Sequence, residues 1–112
     1  MKNKLGEEIK YNILIYAKPE KVEHKMRDVI EAENAKFDNE DDMDSTWCYW
    51  TVGNPPIREG IGKVMFTDGT NIYGEGDFLG TAIDAIEFSA LKRVRYPQPK
   101  KAPTRGFTYV EN

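Results

Sequence analysis

Cysteine and histidine are the scarcest reactive residues in this 112-residue sequence, since Cys48 and His24 each occur once. A single cysteine cannot form an internal disulfide, and it excludes a zinc site built from several cysteines. His24 lies between Glu23 and Lys25, off the apolar stripe of its segment, which indicates a solvent-facing side chain. The sequence therefore predicts neither a metal nor a cofactor.

Long apolar runs are also missing, and none approaches the roughly 20 residues that would span a bilayer. Residues 1–8 contain acids and lack the apolar core of a secretory signal. These absences predict a cytoplasmic protein without a membrane partner. The length fits one domain over residues 1–112, with a polar lead-in at 1–10 and an acidic loop at 34–45.

Charge is unevenly distributed along the chain, although the net charge is only −3. Residues 88–110 contain six cations and no acid, whereas the remaining chain carries 10 cations and 19 acids. Five of the seven residues at 38–44 are acidic, but they lack the central glycine and terminal glutamate of a calcium-binding EF-hand loop. The asymmetry permits an anionic partner at the basic end, and a solvated basic loop is the alternative.

Hydrophobic periodicity predicts a strand and then a helix in the first third of the chain. Residues 11–17 form a short apolar run of strand length, rich in β-branched and aromatic residues. Pro19 suits the first turn of a helix. Val22, Met26, Val29 and Ile30 then follow at helical spacing, which predicts a helix over residues 19–33.

A β-hairpin is predicted over residues 60–78, with Asp68 and Gly69 at its turn. Gly74 and Gly76 lie inside the second arm, where glycine is typical of a bulge, a bend or a close backbone approach. A third strand is expected at 83–88, followed by a short turn or helix at 89–94. Prolines favour an extended segment at 96–103, and a closing strand is expected at 105–110.

The most aromatic segment, residues 45–52, reads as a further strand. Alternation places Cys48, Trp50 and Val52 on its core face, and Trp47, Tyr49 and Thr51 on the other. An aromatic pair on the less buried face would suit stacking on a base or ring. Cover by a second layer of the fold is the alternative.

The order of these elements resembles the PUA-like superfamily of small curled β-barrels, and most closely its ASCH and EVE branches. The resemblance spans residues 11–110 as a pattern of strands and glycines, carried by Trp47, Trp50 and the segments 62–66, 72–76, 86–91 and 105–110. It implies an α+β fold, namely a small curled mixed β-barrel of five to six strands with one main helix. It also implies a cleft that binds RNA or a modified nucleobase.

The characteristic G-x-K-x-x-E-x-R motif of ASCH domains is only partly matched here. In the nearest segment, residues 16–23, Lys18 stands in the place of the motif lysine. The glycine, glutamate and arginine of the motif have no counterpart. Hydrolytic activities that depend on that motif are therefore not carried over by the resemblance.

We expect a binding module rather than an enzyme, acting on RNA, another nucleic acid or a modified nucleobase. An aromatic side chain would stack on a base while cations neutralise phosphates. The candidate binding residues are Trp47, Tyr49, Asn54, Arg58, Arg93, Arg95, Tyr96, Lys100, Lys101 and Arg105.

Two alternatives belong to other functional classes. In one, the cleft is a hydrolase site for a modified nucleoside or RNA, with Lys18 or Lys63 as an activated amine, Thr51 as nucleophile and Glu75 as acid or base. In the other, exposed aromatic and acidic residues make the chain a protein-interaction domain.

Overall fold

The computed structural model describes residues 1–22 and 47–111, and it describes the backbone alone at Trp47, Cys48 and Ala90. Six strands account for most of this part of the chain. They are β1 (Tyr11–Tyr16), β2 (Trp47–Thr51), β3 (Ile61–Thr67), β4 (Asn71–Thr81), β5 (Ala85–Pro97) and β6 (Thr108–Glu111).

All six strands belong to one mixed sheet, in the order β2-β5-β4-β3-β1-β6. The neighbours β1 and β3 run parallel, and every other pair is antiparallel. Strand β1 therefore lies between two strands that are remote from it in sequence. Its apolar run, predicted as a buried strand, is confirmed, because Ile13, Leu14 and Ile15 are inaccessible to solvent or nearly so.

The main core, here called the inner cluster, covers one face of the sheet. Its buried members come from β1, β3, β4 and β5 and from the short segment after β1. They are Ile13, Ile15, Ala17, Val22, Ile61, Val64, Phe66, Phe78, Ile86, Phe88 and Leu91. A smaller group, the outer cluster, consists of Leu14, Met65 and Ile72 on the opposite face.

The sheet curls around the inner cluster, so that strands distant in the sheet order touch across its concave face. The ring of Trp50 on edge strand β2 lies 5.2 Å from that of Phe66 on β3, and Phe66 lies 5.5 Å from Phe88. Trp50 and Val52 pack against the inner cluster, which confirms their predicted core face.

The predicted α+β barrel with one main helix is wrong. The sheet is open, because β2 and β6 form its two edges and share no ladder. The gap is filled by side chains instead: Phe107 and Tyr109 pack on the inner cluster from the β6 end, and a Cβ at Gly106 would lie 3.7 Å from the Val52 carbonyl oxygen. Packing across the opening thus replaces the hydrogen bonds that would close a barrel.

Within the described residues, helix is also far scarcer than an α+β fold requires. Within residues 1–22 and 47–111 the helical structure amounts to a turn at 19–22, where Val22 is fully buried. The rest of the helix expected at 19–33, His24 and the acidic loop at 34–45 lie outside the described residues. None of the helical structure in the described ranges is long and apolar enough to cross a membrane.

Strand β5 is much longer than predicted, and the turn or helix expected at 89–94 is wrong. The strand runs from Ala85 to Pro97 beside β4, with three shifts in register. These bulges let a 13-residue strand follow the curled sheet. Alternation persists through the cationic part, since Leu91 joins the inner cluster and Val94 packs on the outer one.

The hairpin predicted around Asp68 and Gly69 is confirmed as the β3–β4 connection. The Asp68 carboxylate accepts hydrogen bonds from the backbone N–H groups of Asn71 and Thr70, at 2.9 and 2.8 Å. These two donors stabilise the ionised form and hold the pKa of Asp68 below its usual value. Gly69 adopts a φ of 104°, which favours glycine.

Gly76 marks the closest approach of two strands, as the interior glycines of β4 predicted. A Cβ added there would lie 2.9 Å from both the Phe88 ring and the Ser89 carbonyl oxygen of β5. The oxygen belongs to the backbone and cannot swing away. The absence of a side chain at Gly76 therefore allows β4 and β5 to stay paired over the inner cluster.

We expect Gly76→Ala to lower the free energy of unfolding by about 1–3 kcal/mol, the usual cost of overpacking. Urea denaturation followed by circular dichroism measures it. Gly62→Ala is the matched control, because its Cβ would meet mainly the Ile9 side chain, at 2.9 Å, and that side chain can rotate. Equal losses in the two variants would contradict the close β4–β5 approach.

Candidate ligand-binding groove

An apolar groove of about 450 Å³ opens on the outer face of the sheet. Its walls come from the lead-in, from β1, β3 and β6, and from the end of β5 with the segment that follows. Besides Met1, they are formed by Ile9, Asn12, Gly62, Lys63, Met65, Tyr96, Pro97, Pro99 and Val110. Strands distant in sequence thus combine into one concave surface.

Asn12 is placed in the groove by a bulge between β1 and β3. Tyr11 pairs with Ile61 and Ile13 with Val64, so two residues of β3 face the single residue Asn12. The backbone N–H of Lys63 donates to Asn12 Oδ1 at 3.0 Å, in place of a ladder hydrogen bond. Because an N–H must face an oxygen, this bond orients the amide, and Nδ2 is the donor that the side chain can offer to a ligand.

Lys63 separates the groove from a smaller cleft of about 60 Å³ lined also by Glu75, Gly76, Asp77 and Lys92. We call Lys63, Glu75, Asp77 and Lys92 the charged cluster. Lys63 Nζ lies 3.3 Å from Glu75 Oε1, and Lys92 Nζ lies 3.4 Å from the same oxygen. The Tyr96 hydroxyl donates to the other oxygen, Oε2, at 2.8 Å.

Glu75 is almost completely buried, with 6% of its surface exposed. Burial alone would raise the pKa of its carboxyl, but hydrogen bonds from Tyr96, Lys63 and Lys92 outweigh burial, and the net pKa is lowered. Burial and the neighbouring carboxylate raise the pKa of Tyr96, which keeps its hydroxyl a donor. The carboxylate is therefore ionised at neutral pH and engaged by three donors.

The charged cluster is balanced, because two lysines face two acids. Lys63 retains N–H groups beyond the one it directs at Glu75, since an ammonium has three. We call the part of the groove lined by Asn12 and Lys63 its polar end. It offers hydrogen-bond donors from Lys63 Nζ and Asn12 Nδ2 and has little net charge. This arrangement suits a neutral ring that carries acceptor atoms.

Candidate residues from the aromatic strand and its following loop lie away from the groove. Tyr49 is 52% exposed on edge strand β2, opposite Glu87 of β5. Trp47 precedes it on the same strand, where only the backbone is described. Asn54 is exposed in the loop after β2.

Arg58 is tied to the aromatic residues of β1 and β6. Its guanidinium lies 4.4 Å from the ring centre of Tyr109 and 5.2 Å from that of Tyr11. The Tyr109 hydroxyl accepts hydrogen bonds from the backbone N–H groups of Ile57 and Arg58. This arrangement fastens the loop to the sheet, so Arg58 has a structural role.

Because side chains alternate along β5, its cations lie on opposite faces of the sheet. Lys92 and Tyr96 lie on the outer face with the groove. Arg93 and Arg95 line a cleft of about 300 Å³ with Pro19, Asp68 and Tyr73, among other residues. The structure therefore separates the two arginines from Tyr96, although they are neighbours in sequence.

The basic segment between β5 and β6 borders the groove. Pro97, the last residue of β5, and Pro99 after it belong to the wall, and Ala102 packs on the outer cluster. Lys100 Nζ donates to the Tyr109 carbonyl oxygen at 3.0 Å. Lys101 and Arg105 are exposed to solvent.

Of the residues considered for hydrolysis, the structure brings together Lys63 and Glu75. Thr51 lies at the end of β2, which β5 and β4 separate from β3. Lys18 follows β1 near the opposite end of β3, where the Ala17 N–H donates to the Thr67 carbonyl oxygen. No group of three or more His, Cys, Asp or Glu side chains in the described ranges could hold a metal ion.

Asn12, Gly62 and Met65 are groove residues that were not candidates from the sequence. The available signal was Asn12 itself, a polar residue inside the apolar run of β1. Its partner Lys63 lies 51 residues further along the chain, so the pairing that places them together cannot be read from local patterns.

The chain matches no protein-family model, no curated protein and no solved structure. The resemblance to ASCH and EVE domains therefore stays a prediction.

We expect Glu75→Gln to lower the free energy of unfolding at pH 7 by about 1–3 kcal/mol, because it removes the charge that two lysines face. The pKa of Glu75 is lowered on folding, so its contribution is present above the unfolded pKa and is lost as pH falls through the folded pKa. Urea denaturation between pH 3 and 7 should therefore show less acid dependence in the variant.

Asp84→Asn is the control for this measurement, because Asp84 is exposed in the β4–β5 turn. It should unfold like the unmodified protein. If Glu75→Gln retained the full acid dependence, Glu75 would not be the group responsible.

Proposed function

We propose that this chain is a binding module for a nucleobase-bearing ligand, and that the outer groove holds the base. One observation carries the proposal: an apolar groove of about 450 Å³ is lined by two neighbouring side chains that carry hydrogen-bond donors, Asn12 and Lys63. Ligand sites in proteins commonly combine apolar walls with a few placed polar groups in this way.

The size and composition of the groove support a flat ring. Its volume of about 450 Å³ falls in the usual range for small-molecule sites. Met65, Pro97, Pro99 and Val110 offer apolar surface to the faces of a ring, and Tyr96 adds an aromatic side chain. Base–aromatic contacts are worth roughly 1–3 kcal/mol each.

The distribution of charge favours a base or single nucleotide over a long nucleic-acid strand. The lysines of the charged cluster are offset by Glu75 and Asp77, Lys100 binds a backbone carbonyl, and Arg58 stacks on tyrosines. Lys101 is exposed two residues after Pro99 of the groove wall, and it is the cation that we propose meets a phosphate attached to the bound base. A long nucleic-acid strand needs many cations along its phosphates, whereas a base or single nucleotide does not.

Binding is favoured over hydrolysis by the state of Glu75. A general base needs a free lone pair and a pKa close to the working pH. The Glu75 carboxylate is already engaged by three donors, and its pKa is lowered. We therefore assign it the role of positioning Lys63 and Tyr96 at the groove.

Isothermal titration with the four common ribonucleoside 5′-monophosphates tests the proposal. We expect at least one to bind, with amide chemical-shift changes in ¹H–¹⁵N spectra concentrated at β1, β3 and residues 96–99. Ribose 5-phosphate, which lacks the base, should not bind. Absence of binding by all four nucleotides, or equal binding of ribose 5-phosphate, would refute the proposed function.

We expect Tyr96→Leu to weaken nucleotide binding by about 5- to 150-fold, the equivalent of one lost base–aromatic contact. Tyr96→Phe keeps the ring and loses only the hydroxyl bond to Glu75, so it should bind almost normally. Tyr49→Leu is the matched control on the edge strand β2. If Tyr49→Leu impaired binding and Tyr96→Leu did not, the base would lie on the aromatic strand rather than in the groove.

A further inference from the structure

Asn12 and Lys63 offer the ligand two hydrogen-bond donors, and the Asn12 oxygen is already shared with the backbone. The Asn12 oxygen is held by the Lys63 backbone N–H at 3.0 Å, so the amide is oriented by the fold before any ligand enters. Lys63 Nζ is likewise directed by Glu75, at 3.3 Å. The polar end of the groove therefore has a defined hydrogen-bonding character.

Purine bases differ in the atoms they present along one edge. Guanine and hypoxanthine present two acceptors, O6 and N7, whereas adenine presents the acceptor N7 and the donor N6. An asparagine recognises adenine through both its oxygen and its nitrogen. At Asn12 an adenine would have to share the amide oxygen with the Lys63 backbone N–H, whereas a 6-oxopurine needs only donors and meets no such competition.

We infer that the groove selects a 6-oxopurine, guanine or hypoxanthine, whose O6 and N7 accept hydrogen bonds from Asn12 Nδ2 and Lys63 Nζ. The inference rests on the proposed function and specifies its ligand class. Lysine and arginine donating to O6 and N7 is the commonest specific contact to guanine in nucleic-acid recognition. The balanced charge of the cluster fits a neutral base edge at this position.

The ligand series that tests the inference needs no variant. Guanosine, inosine, adenosine and 7-deazaguanosine are titrated into the unmodified protein by calorimetry. Guanosine and inosine should bind with similar affinity, because both present O6 and N7. Adenosine should bind about 5- to 150-fold more weakly, and 7-deazaguanosine, which lacks the N7 acceptor, should also bind more weakly.

Asn12→Asp changes the donor into an acceptor and keeps an oxygen for the Lys63 N–H. The variant should lose affinity for guanosine and reduce the preference over adenosine. Its unfolding midpoint in urea shows whether the bulge remains intact. The ligand series uses the unmodified protein, so its outcome does not depend on whether this variant folds.

Lys63→Met and Lys92→Met form a matched pair. Each removes one lysine from Glu75, but only Lys63 lines the groove. Selective loss of guanosine binding in Lys63→Met supports the inference, whereas equal losses would assign the effect to the ion pairs and contradict it. Equal affinity for guanosine and adenosine would overturn the inference and leave the proposed function intact, whereas failure of all four nucleosides to bind would overturn both.

Discussion

Within the described residues, the sheet buries a large apolar face by curling onto itself, and the contact between Trp50 and Phe66 joins the two sides of that curl. The two rings belong to strands with β5 and β4 between them, yet their centres lie 5.2 Å apart. This curl depends on the bulges of β4 and β5 and on Gly76, whose lack of a side chain lets the strands stay close. The groove lies on the outer face, where the lead-in and the end of β5 with the segment after it supply its walls.

The groove shows how one irregularity serves both structure and chemistry. The bulge at Asn12 leaves a backbone donor without a ladder partner, and the side-chain oxygen satisfies it. Turning the amide over would bring Nδ2, itself a donor, against that N–H, so the hydrogen bond favours one orientation of the amide. The same hydrogen bond that completes the sheet therefore decides which atom of Asn12 faces the groove. Glu75 also serves both structure and chemistry. It forms ion pairs with Lys63 and Lys92, and the pair with Lys63 orients that side chain.

Local patterns predicted the elements whose determinants are local. The apolar run of β1, the turn at Asp68 and Gly69, and the core face of Trp50 follow from alternation and turn chemistry over a few residues. The length of β5 could not be predicted from local patterns. Lys92, Arg93 and Arg95 interrupt the apolar pattern of this strand, although its ladder with β4 continues. The open edge and the groove depend on which remote strands pair, and no local pattern contains that information. Asn12 illustrates this, because its hydrogen bond to the Lys63 N–H exists only when β3 is paired with β1.

The central position of β1 has a consequence for the order in which the molecule assembles. Tyr11 pairs with Ile61 on one side and with Glu111 on the other. Strand β1 therefore joins a segment from the middle of the sequence to its last strand. Contacts of such high sequence separation form slowly, because a long loop must close before they stabilise the chain. The antiparallel strands β3, β4 and β5 are consecutive and can associate earlier. Asn12, Lys63 and Val110 meet only when β1 docks, and the groove is therefore a late product of folding.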